Sequence, residues 1–185
     1  MDDYIIFSWL NDYIFCPISI YFHQLYGDKK PTLVQNRSQL EGAWAHSAVD
    51  EGRYSTRKDV LQGAFVICEK YRLFGRIDVF DIKNGVLTER KKKISQVYDG
   101  YIFQLYAQYF SLLEMGYKVN QIRFHSLSDN RNYIIPFPEE SPLMLAKFER
   151  TIAEIRSFRL EEYIQQNRAK CLHCIYEPAC DRTLL

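Results

Sequence analysis

Residues 75–93, GRIDVFDIKNGVLTERKKK, constrain the fold of this chain more than any other stretch. The dipeptide Asn84-Gly85 is the strongest short hairpin signal, because a two-residue type I′ turn needs positive φ at both positions. With that turn, Lys83 pairs with Val86, Asp78 falls opposite Lys91, and Glu89 falls opposite Phe80, one diagonal step from Asp78. Side chains two apart on a strand share a face, and diagonal neighbours stand about 7–8 Å apart. Asp78, Glu89 and Lys91 are therefore expected on one sheet face, with both acids in reach of one cation. Oxygen donors of this kind suit Mg²⁺ or Mn²⁺. Such an ion polarises a phosphodiester and lowers the pKa of its bound water, while a neighbouring lysine orients that water or offsets charge on the phosphate. A hairpin of alternating surface charges, with Asp78 paired to Lys91, accounts for the same spacing.

Around the hairpin the apolar pattern alternates between helical and strand-like periods. SWLNDYIFCPISIYFHQLYG reads as a helix from Trp9 to Tyr26, with Ser8 as N-cap and Gly27 as stop. Pro17 breaks it and leaves Cys16 at the break, where its side chain can be aimed. SQLEGAWAHSAVDEG opens on a capping box, Ser38 with Glu41, and sets Gly42 and His46 one turn apart. Residues 60–94 read as strands. YDGYIFQLYAQYFSLLEMGYKV reads as a long helix ending near Gly116, with Ile102, Leu105, Tyr109 and Leu112 or Leu113 inward. Strands at QIRFHSLS and NYIIPF follow, then a helix from Ser141 to Gln166 with Leu145, Phe148, Ile152, Ile155 and Phe158 on its apolar side. These elements predict one mixed α/β domain over 1–185, a central sheet flanked by helices.

Composition excludes several classes. A chain of 185 residues that is 47% hydrophobic and 15% aromatic is neither disordered nor, without a run of about 18 apolar residues, built to span a membrane. The acidic opening MDDYIIFSWL lacks a small-residue cleavage site after an apolar core, so we expect no signal peptide and a cytoplasmic protein. A net charge of +1 gives no global attraction for a polyanion, so any nucleic-acid contact must be local. The basic run ERKKK reads as a solvated strand end or, through Lys92 and Lys93, as phosphate contacts.

Cysteine spacing adds a second constellation. Of 5 cysteines, Cys171, Cys174 and Cys180 crowd into CLHCIYEPAC, while Cys16 and Cys68 stand alone. In a cytosolic chain such spacing favours a metal over disulfides, and three thiolates leave a four-coordinate site one ligand short. Cys16 is the natural fourth ligand and would tie residues 1–30 to 165–185 as a clasp; His173 competes for the place. Spacing alone leaves zinc and an iron–sulfur cluster equally open. Cys68, in AFVIC, reads as a buried strand residue.

Gly75, Asp78 and then Glu89-Arg90-Lys91 resemble the G-x-x-D…E-x-K core of the PD-(D/E)xK nuclease superfamily, in its RecB-like branch. His46 in GAWAH resembles the upstream metal-ligating histidine of that branch, and Gln104 in FQLYAQYF its helix glutamine. Gln108 stands where that motif continues to a tyrosine, with Tyr109 beside it. Together with one early cysteine before a proline and three late cysteines, the pattern is similar to the iron–sulfur nucleases of the CRISPR-associated Cas-four family over nearly the whole chain. The resemblance implies a 4Fe-4S cluster on Cys16, Cys171, Cys174 and Cys180. It implies a Mg or Mn site from His46, Asp78, Glu89 and the backbone carbonyl of Arg90, with Lys91 catalytic and Gln104 near the scissile phosphate or the lysine. It further implies DNA exonuclease activity on single-stranded ends, trimming spacer precursors with a CRISPR integrase complex and without a membrane partner. Two other readings remain from the residues: a non-cleaving subunit recognising DNA ends or a short motif, and a zinc-clasped protein without phosphodiester chemistry.

Overall fold

A computed structural model describes residues 4–26 and 58–185. The expected helix around Ser38, Glu41, Gly42 and His46 lies outside the described residues. Along the chain come β1 (Ile5–Ile6), α1 (Phe7–Phe15), α2 (Ser19–Tyr26), β2 (Val60–Gln62), β3 (Phe65–Cys68), β4 (Leu73–Arg76), β5 (Val79–Asp81) and β6 (Val86–Lys91). Then follow α3 (Asp99–Glu114), β7 (Gln121–Ser126), β8 (Arg131–Ile135), α4 (Pro142–Ser157) and α5 (Arg168–Leu172). The class is mixed α/β, as the sequence pattern predicts. Among the described residues, no helix is long and apolar enough to cross a membrane.

The strands form two sheets instead of one central sheet, in the orders β1-β4-β3 and β2-β5-β6-β7-β8. One long hairpin belongs to both. Val60 pairs with Asp81 in the larger sheet and Phe65 with Arg76 in the smaller, in a single continuous register. Backbone bonds from Gly63 N to Asp78 O (3.0 Å) and from Ile77 N to Ala64 O (2.9 Å) carry the ladder through the corner. Gly63 adopts φ +59 there, a left-handed conformation that costs glycine little. Asp78 is thus placed at a strand corner, where a kink re-aims side chains.

The β5–β6 hairpin departs from the predicted turn. Val79 pairs with Thr88, Phe80 with Leu87 and Asp81 with Val86, so the loop holds residues 82–85. The cause is Asp81, whose carboxylate accepts from the Asn84 backbone N–H (3.0 Å) and side-chain amide (2.9 Å). This closes an Asx-type loop with Gly85 at φ +66, and Asn84 is not among the described residues with positive φ. The register moves by two residues, which preserves the face of every side chain. Continued by one step, it sets Asp78 opposite Glu89, not opposite Lys91.

From β6 the chain crosses through α3 into β7, which lies parallel to β6. The shared core buries Phe80, Leu87, Ile122 and Phe124 of the larger sheet with Leu105 and Leu112 of α3. Helix α1 packs on α3 and β4. Gly75 makes that possible, since a Cβ there would stand 2.5 Å from the Phe7 ring. Helix α1 starts at Phe7 with Ile6 as N-cap, two residues before the predicted cap Ser8, because β1 pairs with β4 up to Ile6. The predicted break at Pro17 is present: α1 ends at Phe15 and Cys16 is extended, with φ −161 and ψ 119.

Helix α4 ends at Ser157, nine residues short of the predicted Gln166. Tertiary packing overrides propensity there. Phe158 turns out of the helix onto Tyr13 (ring centroids 5.9 Å) and Tyr163 (5.8 Å), and Leu160 and Tyr163 cover a small core of Cys16, Ile18 and Phe22. On the other side of α4, fully buried Phe148 meets Tyr71, Phe103, Tyr106 and Phe110 with centroids 5.2 to 6.1 Å away. Phe148→Ala removes the ring on which four others rest. We expect a loss of about 3–5 kcal/mol, read as a lower urea midpoint at unchanged slope; a midpoint within error of wild type would show that the aromatic cluster does not hold α4.

Candidate functional site

On β6, Leu87, Glu89 and Lys91 face α3, and their partners on β7 are Ile122, Phe124 and Ser126. The face therefore runs from apolar core to polar end within a few residues. Asp78, beside Glu89, is 8% exposed and Glu89 is 6% exposed. Buried carboxylates are costly unless charges and hydrogen bonds surround them. Here they do. Lys91 Nζ donates to Glu89 Oε1 at 2.8 Å, and Gln108 Nε2 donates to Glu89 Oε2 at 2.8 Å. The Arg90 backbone N–H donates to Asp78 Oδ2 at 2.7 Å, so a side chain takes a donor at the end of the β5–β6 ladder. Lys91 also donates to Gln104 Oε1 (3.2 Å) and stands 4.9 Å above the Tyr101 ring.

Helix α3 meets this face in step. Four residues of helix rise about 6 Å and two residues of strand about 6.6 Å. Gln104 and Gln108, four apart, therefore reach Lys91 and Glu89, two apart. The sequence places Asp78, Glu89, Lys91 and Gln104 together, and the structure brings them together. It assigns Gln104 to the lysine. Gln108 was left open by the sequence, although its position one turn after Gln104 is the signal that places it on the same helix face.

Burial pushes the Lys91 ammonium toward the neutral form, but the Glu89 carboxylate at contact, followed by Asp78 and Tyr101, outweighs it, and its pKa is held above the ordinary lysine value. Lys91 is therefore a charged donor at neutral pH and cannot accept a proton. Asp78 and Glu89 are the described carboxylates that could hold a cation here; His46 lies outside the described residues. Arg90 engages Asp78 through its amide and pairs with His125 of β7 in the ladder. Lys92 and Lys93 follow, exposed, just past the end of β6. Among the described residues, no three or more His, Cys, Asp or Glu side chains are drawn together as a group able to hold one metal ion.

A second site lies at the opposite ends of the chain. Cys16, Cys171, Cys174 and Cys180 line one pocket with Ile18, Phe22, Gln165 and Tyr176. Phe22 and Tyr176 stack over it with centroids 5.5 Å apart. Cys16 Sγ accepts from Gln165 Nε2 (3.2 Å) and stands 3.6 Å from the Tyr163 hydroxyl. Lys170 of α5 donates to Ile14 O of α1 at 2.9 Å, which ties the two segments beside the pocket. Burial raises the Cys174 and Cys180 thiols above their ordinary values; for Cys174 the neighbouring thiols add to this, and for Cys180 Asp181 and then the other cysteines do. A bound cation reverses that balance, because a coordinating thiol is deprotonated outright. The four thiols line this pocket without being drawn together as a metal-holding group; their all-sulfur chemistry is of the kind that suits zinc or an iron–sulfur cluster. Cys68 stays apart, fully buried on β3 against Glu114 (3.4 Å), and burial pushes its thiol up to about 12.

No protein-family model matches the chain, and no curated protein matches it. Among solved structures, the crystal structure of SSO0001 is similar, with a TM-score of 0.61 and 15% identity, covering 100% of this chain and 89% of that one. At that identity the likeness concerns the fold alone.

Proposed function

We propose that this chain is a Mg- or Mn-dependent DNA exonuclease of the PD-(D/E)xK type, acting on single-stranded ends. Its cellular setting in this reading is CRISPR adaptation, where it trims and selects spacer precursors with an integrase complex; that setting rests on the resemblance to the Cas-four family. The observation that carries the chemistry is the meeting of Asp78, Glu89 and Lys91 at one polar end of a sheet face, with Lys91 held charged and fixed by Gln104. Asp78 and Glu89 would hold the divalent ion, joined in this reading by His46 and the Arg90 carbonyl. When bound, such an ion polarises the phosphodiester and acidifies its water. Lys91 donates hydrogen bonds toward charge that develops on the phosphate, and it does so without first acquiring a proton. Gln104 limits where the ammonium can go. The exposed Lys92 and Lys93 beside it meet the flanking phosphates.

The cysteine pocket is, in the same proposal, the seat of a 4Fe-4S cluster that joins residues 1–30 to 165–185 and serves the fold. A second reading draws on the Glu89 carboxylate, both of whose oxygens are engaged by Lys91 and Gln108. A site tied up in this way suits a subunit that recognises DNA ends without cutting them.

End-labelled single-stranded DNA with Mn²⁺ or Mg²⁺ separates the two. Lys91→Ala, purified like wild type without oxygen, should lower cleavage by about 10²–10³-fold, as expected for loss of one preorganised donor. Inert wild type that binds DNA as well as Glu89→Ala does would favour the recognition subunit; equal cutting by wild type and Lys91→Ala would remove the hairpin from the chemistry. Iron content tests the pocket. Protein prepared without oxygen should be brown and hold iron and sulfide, and colourless protein with stoichiometric zinc would replace the cluster by a zinc clasp.

A further inference from the structure

Helix α3 is almost wholly apolar where it meets the sheet: Phe103, Leu105, Tyr106, Ala107 and Leu112 are each at most 1% exposed. Gln108 sits among them at 2% exposed, with its Nε2 on Glu89 and its Oε1 without a hydrogen-bond partner among the described residues. The amide orientation follows from chemistry, since the flipped form would set oxygen against a carboxylate. A buried polar group with an unpaired acceptor weakens a core that an aliphatic side chain would fill better. Filling the core therefore does not account for a glutamine here; its bond to the buried Glu89 carboxylate does. Among the described residues its hydrogen-bond partner is Glu89, an acid of the candidate metal site.

We propose that Gln108 is a positioning residue for Glu89: it holds Oε2 so that Oε1 alone is exchanged between Lys91 and an arriving divalent cation. The proposal rests on the metal-dependent reading given above. The two clamps on Glu89 differ in kind. Lys91 has Gln104 and the Tyr101 ring as further partners, so it can yield Oε1 without losing every contact. Gln108 Nε2 is neutral and faces the carboxylate from inside the core, so it keeps the carboxyl plane fixed while the charge partner changes. Partners of this kind orient a ligand before the metal arrives, and their loss typically lowers metal affinity by about 10–100-fold. The sequence departs from the resembled glutamine motif at this same residue.

The test is Mn²⁺ affinity, measured by paramagnetic resonance of the unbound ion, set beside thermal stability in full-length wild type, Gln108→Met and Gln108→Leu. Gln108→Met keeps the length and volume of the side chain and removes both polar atoms. We expect both variants to fold but to melt below wild type, because Glu89 Oε2 loses its donor, and to bind Mn²⁺ about 10–100-fold more weakly. Unchanged Mn²⁺ affinity in a folded variant overturns the proposal. Failure of both variants to fold overturns it in favour of a structural role. Wild type that binds no Mn²⁺ removes the metal-dependent reading itself, and the positioning role with it.

Discussion

The contact between Lys91 and Glu89, at 2.8 Å inside the joint of β6 and α3, is the interaction on which the site depends. It is not there for stability. Buried ion pairs are often matched by apolar residues of similar size, while removing one member costs about 3–5 kcal/mol because the other is left charged and unpaired. The pair is therefore a commitment: once Glu89 is buried, Lys91, Gln104, Gln108 and the alignment of α3 must all be present. Asp78 adds a second carboxylate to the same place, which increases the need for positive charge. A divalent cation would meet that need more fully than one ammonium.

The fold supplies this arrangement through a corner and a crossover. The corner at Gly63 and Asp78 passes one hairpin from the smaller sheet to the larger and leaves Asp78 beside β6, where its carboxylate caps the Arg90 amide. The parallel crossover from β6 to β7 lays α3 across the same face. Gly75 lets Phe7 lie against β4, and so seats α1 on both. In the motif of the hairpin, the glycine thus serves packing and the acids serve the site. At the far end, the cysteine pocket closes the chain onto its own beginning, so that the start of α2 and the last residues share one small core.

How much of this was legible in the sequence depended on what each feature needed. The common face of Asp78, Glu89 and Lys91 survived a wrong turn type because a two-residue slip leaves sides unchanged. The register itself was hidden, since Asp81 gives Asn84 a side-chain partner that no hairpin rule for Asn-Gly anticipates. The meeting of Cys16 with the three late cysteines was readable from spacing and the proline break. The end of α4 was not, because Phe158 leaves the helix for aromatic partners far away in sequence. Gln108 stands where the resembled motif has a tyrosine, and its contact with Glu89 needed the helix phase against β6 to be seen. The division into two sheets was also beyond reach, since the corner rests on a backbone angle at Gly63.

The measurement that bears most directly on the central claim is anomalous diffraction from crystals of the full chain soaked in Mn²⁺. The arrangement of Asp78, Glu89 and Lys91 predicts a manganese peak within coordination distance of the Asp78 and Glu89 carboxylates, with Lys91 moved off Glu89 Oε1. A Lys91–Glu89 contact left intact, with no manganese between the two acids, would contradict the account.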